Sequence, residues 1–123
     1  MLQEKFNEIV NFFFTLQMLN KLYHWNTTSY SRHKATDRFN KNFLELVDKF
    51  VEVFIGTYDM KPMFNEIQIN NNYLTDNGIV MLFIFTRKYL NTFDQYIQST
   101  DLLNIRDELL GEVNQTLYLF NLK

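Results

Sequence analysis

Apolar residues recur at helical spacing along most of the chain, and polar breaks divide it into four segments. In the first, Phe6, Ile9, Val10, Phe13, Leu16, Met18 and Leu22 suit a core-facing stripe, which predicts a helix from about Leu2 to His24. A polar turn, Asn26 to Tyr30, follows, where Ser29 or Ser31 can cap the next element. The second helix is predicted from Ser31 to Ile55, with neither Gly nor Pro inside it and Gly56 suited to the position just past its end. Its apolar side carries Ala35, Phe39, Phe43, Leu46, Val47, Phe50, Val53 and Phe54.

Thr57 to Asn72 breaks this pattern with the only proline, Pro62, and an Asn run at 70–72, and reads as a long connection. A third helix is predicted from Thr75–Asn77 to about Gln98, with Ile79, Leu82, Phe83, Phe85, Leu90, Phe93 and Ile97 toward the core. Its stretch IVMLFIF has strand propensity, but TRKYLNTFDQYIQ restores the helical period. After a break at Ser99–Thr100, with Thr100 or Asp101 as cap, a fourth helix reaches about Leu122 on a stripe of Leu103, Leu109, Leu110, Val113, Leu117 and Phe120. Gly111 inside it marks a point of close helix packing. The pattern predicts an all-α four-helix bundle, residues 1–123 forming one domain.

Composition adjusts this picture in a few respects. Thirteen Phe and seven Tyr in 123 residues imply that aromatic rings fill much of the core. A net charge of −2 and a pI of 5.6 provide no positive field for nucleic acid, and neither end carries a Lys/Arg-rich tail, so no nucleic-acid partner is expected. The absence of Cys excludes disulfides and thiolate metal sites and fits a reducing compartment such as the cytoplasm. No apolar run approaches the ~20 residues of a membrane span, so no membrane partner is expected. The N-terminal stretch, with acidic residues and no basic region, does not read as a signal peptide. No Gly-rich phosphate loop or recognisable nucleophile context is present.

The chemistry concentrates on the second predicted helix. His33 and Asp37 are four residues apart, as are Asp48 and Glu52. At about 100° per residue, with His33 as origin, Asp37 falls near ~40°, Asp48 near ~60° and Glu52 near ~100°, all on one face. At about 1.5 Å rise per residue, however, Asp37 and Asp48 are roughly 16 Å apart along the axis, beyond any single coordination sphere. An antiparallel copy of the helix resolves the conflict. His33 and Glu52 are centred on the same point as Asp37 and Asp48, between residues 42 and 43. A two-fold axis there sets each His/Asp pair against the Asp/Glu pair of a second chain, predicting two identical intersubunit sites per homodimer. Leu44, Val51 and Ile55 on the same face fit an interface better than a solvated surface. Taken singly, each pair also fits an ordinary exposed helix face with local ion pairs.

The segment His24-Trp25-Asn26, then His33 and Asp37, then Asp48 and Glu52, resembles the Dps miniferritins of the ferritin-like superfamily. It is closer still to a small ferritin-like family encoded by large DNA viruses. The resemblance implies a ferritin-like four-helix bundle with a long crossover between its second and third helices. It further implies a ferroxidase centre with His24, His33 and Asp37 from one chain and Asp48 and Glu52 from its two-fold mate. His24 as a ligand and Trp25 as the catalytic aromatic neighbour enter only through this likeness. It makes iron the metal, with manganese or zinc as competitors for an imidazole and carboxylate set. Peroxide or oxygen would be the oxidant, iron sequestration and protection from oxidative stress the outcome, and the host cytoplasm or virion the setting.

The departures are specific. His24 and His33 are nine positions apart against the family's usual twelve, Gly56 arrives about one turn after Glu52, and Thr57–Asn72 lacks the family's short amphipathic helix. A two-fold dimer is therefore the expected assembly unit, whereas a hollow shell is not implied. Two other classes fit the same residues: a metalloprotein that does not store iron, and a structural or interaction dimer with an unused site.

Overall fold

The computed structural model describes residues 1–123 as four α-helices and no strands. They are α1 (Leu2–Asn26), α2 (Tyr30–Tyr58), α3 (Asp76–Leu90) and α4 (Thr100–Leu119), with 3₁₀ turns at Asn71–Leu74 and Phe93–Gln95. The strand-prone IVMLFIF lies within α3.

Phenyl rings hold the bundle together. Phe6, Phe13, Phe39, Phe43, Phe50, Phe54, Phe83 and Phe93 are fully buried. Phe6 stacks on Phe54 at 3.9 Å, and Phe13 meets Phe43 and Phe50 edge-on at 5.7 and 5.8 Å, arrangements that suit the ring quadrupole. Together they zip α1 to α2 along most of its length. α2 also packs broadly on α4, and α3 packs mainly on α4.

Polar contacts give each helix its direction. Phe6 meets Phe54 near one end of the bundle, and His24 meets His33 at the other, so α1 and α2 are antiparallel. From Asp59 the chain returns alongside α1: Lys61 O accepts from Gln3, Met63 N–H donates to Asn7, and Glu66 O accepts from Asn11. It thereby reaches the end where Tyr23 donates to Asp76, so α3 starts beside the end of α1 and runs parallel to α2. Arg38 with Gln115 and Asn42 with Glu112 then align α4 antiparallel to α2.

Local chemistry sets the helix ends. Ser29 Oγ accepts from Arg32 N–H to start α2, and Thr75 Oγ1 accepts from Gly78 N–H to start α3. At α4, Ser99 occupies the cap position, and its hydroxyl donates to the Asp101 carboxylate. α2 continues past Gly56, which is helical, and ends at Asp59 in the left-handed region with φ 50°. Asp tolerates that conformation better than most side chains. The third helix stops at Leu90 rather than near Gln98. Thr92 Oγ1 donates to Tyr89 O at 2.6 Å and Arg106 Nη1 to Leu90 O at 3.0 Å, satisfying carbonyls at the helix end. Phe93 and Ile97 are nevertheless buried, from the turn.

Some expected core positions lie elsewhere. Met18 and Phe85 are about half exposed, while Leu19 and Tyr23 are buried on α1. On α4 the buried stripe is Leu102, Ile105, Leu109, Val113, Thr116 and Phe120, rotated from the expected one. Gly111 and Gly56 touch nothing where a Cβ would stand, so neither marks close packing. Gly78 does: its Cβ would run into Asn72 O and lie 2.9 Å from Tyr73 Cα, where the first 3₁₀ turn lies against α3.

These glycines separate helix propensity from packing. Gly56→Ala and Gly111→Ala each raise unfolding free energy in urea titrations by about 0.5–1 kcal/mol. Gly78→Ala lowers it by about 1–3 kcal/mol through forced displacement of the 3₁₀ turn. A loss of stability in Gly56→Ala would contradict a helical residue there.

Candidate metal centre

α1 and α2 meet at a tight corner, with only Thr27, Thr28 and Ser29 between them. Thr27 N–H donates to Tyr23 O and closes the last turn of α1. This short connection brings His24, in the final turn of α1, against His33 in the first turns of α2. Their rings stack at 3.8 Å with an 18° interplanar angle.

Their hydrogen bonds cross. His24 Nδ1 lies 2.8 Å from His33 O, and His33 Nδ1 lies 3.0 Å from His24 O. A carbonyl oxygen only accepts, so each Nδ1 carries the proton and each neutral ring is left with a bare Nε2. Neither Nε2 is bonded within the chain, and this is the protonation pattern of a histidine ready to ligate through Nε2. Burial and the neighbouring His33 push the His24 imidazole below its ordinary range, favouring the neutral form that a metal requires. Its residue is only 6% exposed, whereas His33 is exposed.

Asp37 lies one turn beyond His33 and is partly exposed. Desolvation works to raise its carboxyl, but Lys41 Nζ at 3.4 Å, with His24 and Lys21 nearby, outweighs this and holds it below the usual range. Trp25, the only tryptophan, points outward with 66% exposure and Lys21 Nζ 5.6 Å over its ring. Asp48 and Glu52 are exposed further down α2, on the rim of an α1/α2 cleft of about 460 Å³ lined by Val10, Phe13, Phe14, Val47, Val51 and Pro62. The structure thus joins His24 to His33 and leaves the Asp48/Glu52 pair apart from them. No group of three or more His, Asp or Glu capable of holding a metal forms within the single chain.

The groove between α1 and α2 is apolar at its surface. Phe14, Met18 and Leu44 are each about half exposed, and Phe14, Met18, Lys21 and Trp25 follow one stripe of α1. Leu44 shares its α2 face with Asp37, Asp48 and Glu52.

Two residues behind the histidines were not picked out by spacing. Asn20 and Thr36 are fully buried, and Asn20 Nδ2 donates to Thr36 O at 3.0 Å across the helix pair. Asn20 Oδ1 is buried without a partner in the chain. A buried Asn one turn before His24 was the available signal. Tyr23 completes the corner, donating to Asp76 at 2.6 Å and accepting from Arg32 at 3.0 Å. Arg32 also lies 4.9 Å over the Phe120 ring.

Residues 24–120 match the model of a family described as "Family of unknown function (DUF5856)". The chain belongs to this family. No curated protein and no solved structure matches it. The family span opens at His24 and takes in Trp25, His33, Asp37, Asp48 and Glu52 as well as the Asn20 partner Thr36.

The Tyr23 phenol joins α1, α2 and α3 in this family member, so its removal reads out on stability. Tyr23→Phe lowers the unfolding free energy at pH 7 by about 1–2 kcal/mol in urea titrations, because Asp76 and Arg32 both lose a partner. An unchanged midpoint would mean that water replaces the phenol at no cost.

Proposed function

We propose that the protein is a ferritin-like, Dps-type ferroxidase that binds and oxidises Fe(II) at sites between two chains, for iron sequestration and protection from oxidative stress. The observation that carries this reading is the crossed histidine pair: two adjacent imidazoles, each with Nδ1 committed to a main-chain carbonyl and Nε2 free. With Nδ1 so engaged on both rings, the two free Nε2 atoms are in the form in which imidazole ligates a metal. Helix directions add support. Two antiparallel pairs joined by a long return connection alongside α1 are what a ferritin-like bundle with one crossover requires.

The two-fold centred between residues 42 and 43 supplies the missing donors. It sets His33 and Asp37 opposite Glu52 and Asp48 of the partner subunit, and His24 joins through its stack on His33. The half-exposed Phe14, Met18 and Leu44 give that interface an apolar floor. Asp37 facing Asp48 of the partner subunit would draw a cation between them, a place for a metal in addition to the Lys41 contact of Asp37. Carboxylates and neutral imidazoles form a donor set that suits iron, with manganese or zinc as competitors.

Fe(II) is the substrate. Two Fe(II) ions give one electron each to one hydrogen peroxide, which takes up two protons and leaves as two waters; oxygen is the alternative acceptor. The carboxylates hold Fe(III) more strongly than Fe(II) and so favour oxidation. The exposed Trp25, next in sequence to His24, is the oxidisable aromatic of this reading.

A second reading rests on the exposed apolar groove taken alone: a structural dimer in which Asp48 and Glu52 only solvate the rim. Fe(II) titration of metal-free protein, with light scattering for mass, separates the two. Saturable binding and fast oxidation are expected in the wild type and are lost in the Asp48→Ala/Glu52→Ala variant. Leu44→Glu shifts the mass to the monomer and removes oxidation with it. A dimer that binds no iron in either form leaves the structural reading, and a mass well above the dimer brings storage in a shell into play.

A further inference from the structure

His33 and His24 reach the same tautomer by different means. His33 Nδ1 donates to His24 O, which receives no main-chain hydrogen bond because α1 has ended. The acceptor for His24 Nδ1 is less secure. His33 O lies in the body of α2, where main-chain N–H groups also seek carbonyls.

The Thr36 hydroxyl makes up the difference. Thr36 Oγ1 is 2.9 Å from His24 Nδ1. Its single proton is directed to the main chain, 2.8 Å from Arg32 O and 3.1 Å from His33 O, so the oxygen faces Nδ1 as an acceptor. The opposite assignment, with the hydroxyl donating to Nδ1, would set a ring lone pair against His33 O at 2.8 Å. Thr36 is fully buried, and its carbonyl accepts from the fully buried Asn20 amide, which ties this stretch of α2 to α1. Its position follows from helix geometry, since Thr36 points into the bundle between the outward residues His33 and Asp37.

We propose that Thr36 is a positioning residue: its buried hydroxyl holds His24 in the Nδ1–H tautomer and fixes the rotation of the ring, so that Nε2 is presented beside His33 before any metal arrives. The consequence for metal rests on the ferroxidase reading; the tautomer does not. Thr36 needs no contact with the metal or the oxidant. It acts through His24 alone.

Long-range ¹H–¹⁵N spectra of metal-free protein, at a pH where both imidazoles are neutral, report which nitrogen of each ring is protonated. The wild type shows His24 protonated at Nδ1 and bare at Nε2. Thr36→Val, which keeps the shape and removes the hydroxyl, gives a mixture of His24 tautomers and weakens Co(II) binding about 10–100-fold, and Thr36→Ser restores both. Thermal melts check that the variants are folded, with Thr36→Ala as the substitute if Val is not tolerated. A wild-type His24 protonated at Nε2 overturns the inference, as does a hydroxyl-free variant that keeps the pure Nδ1–H form. A wild type that binds no Co(II), yet whose His24 tautomer depends on the hydroxyl, upholds the role of Thr36 and sinks the metal reading.

Discussion

The rotational setting of α2 decides what the rest of the molecule can do. Phe39, Phe43, Phe50 and Phe54 are all fully buried, and a helix has only one rotation about its axis that buries all four. Once they are seated against α1, α3 and α4, Asp37, Asp48 and Glu52 have no choice but to face out. Rotating α2 far enough to internalise a carboxylate would expose a phenyl ring. Each such ring loses on the order of 2–3 kcal/mol on exposure, and the carboxylate would lack a charged partner inside. The outward acidic face is thus a product of the aromatic core.

Much of this was legible in the sequence because the signal in α2 is both long and regular. Its phenylalanines define the buried arc, and the carboxylates occupy the remainder. α4 is harder to read for a physical reason: the doublets Leu102–Leu103 and Leu109–Leu110 offer two stripes of equal quality, and only packing within the bundle selects Leu102 and Leu109 for full burial. The end of α3 is hidden in the sequence because Phe93 and Ile97 keep the helical period although they lie beyond Leu90, where Thr92 and Arg106 satisfy the last carbonyls of the helix. Gly56 resembled a terminator, yet α2 gains one more turn and ends on Asp59.

Within the candidate site, spacing picked out His33, Asp37, Asp48 and Glu52 and missed the contacts that fix the imidazoles. Asn20 and Thr36 are 16 positions apart on either side of the α1/α2 corner, and neither belongs to a recognisable motif, so their meeting follows only from the α1/α2 packing. The crossed bonds between His24 and His33 are likewise invisible in a pattern of residue types, because each uses a main-chain carbonyl. For a member of a family of unknown function, these supporting contacts are the more informative half of the site, since they fix protonation as well as position.

The three-residue turn between α1 and α2 has a bearing on how such a site comes into being. His24 and His33 are nine positions apart, so closing that loop costs little chain entropy, and the imidazole corner can form within one helical hairpin early in folding. The Ser31 contact with Leu122, 91 positions apart, must wait for the whole bundle. The carboxylates that complete the proposed centre must wait longer, for a second molecule. One half of the centre is then a unimolecular product and the other a bimolecular one, and the number of finished sites in a cell would follow the square of the free monomer concentration rather than the amount of protein made.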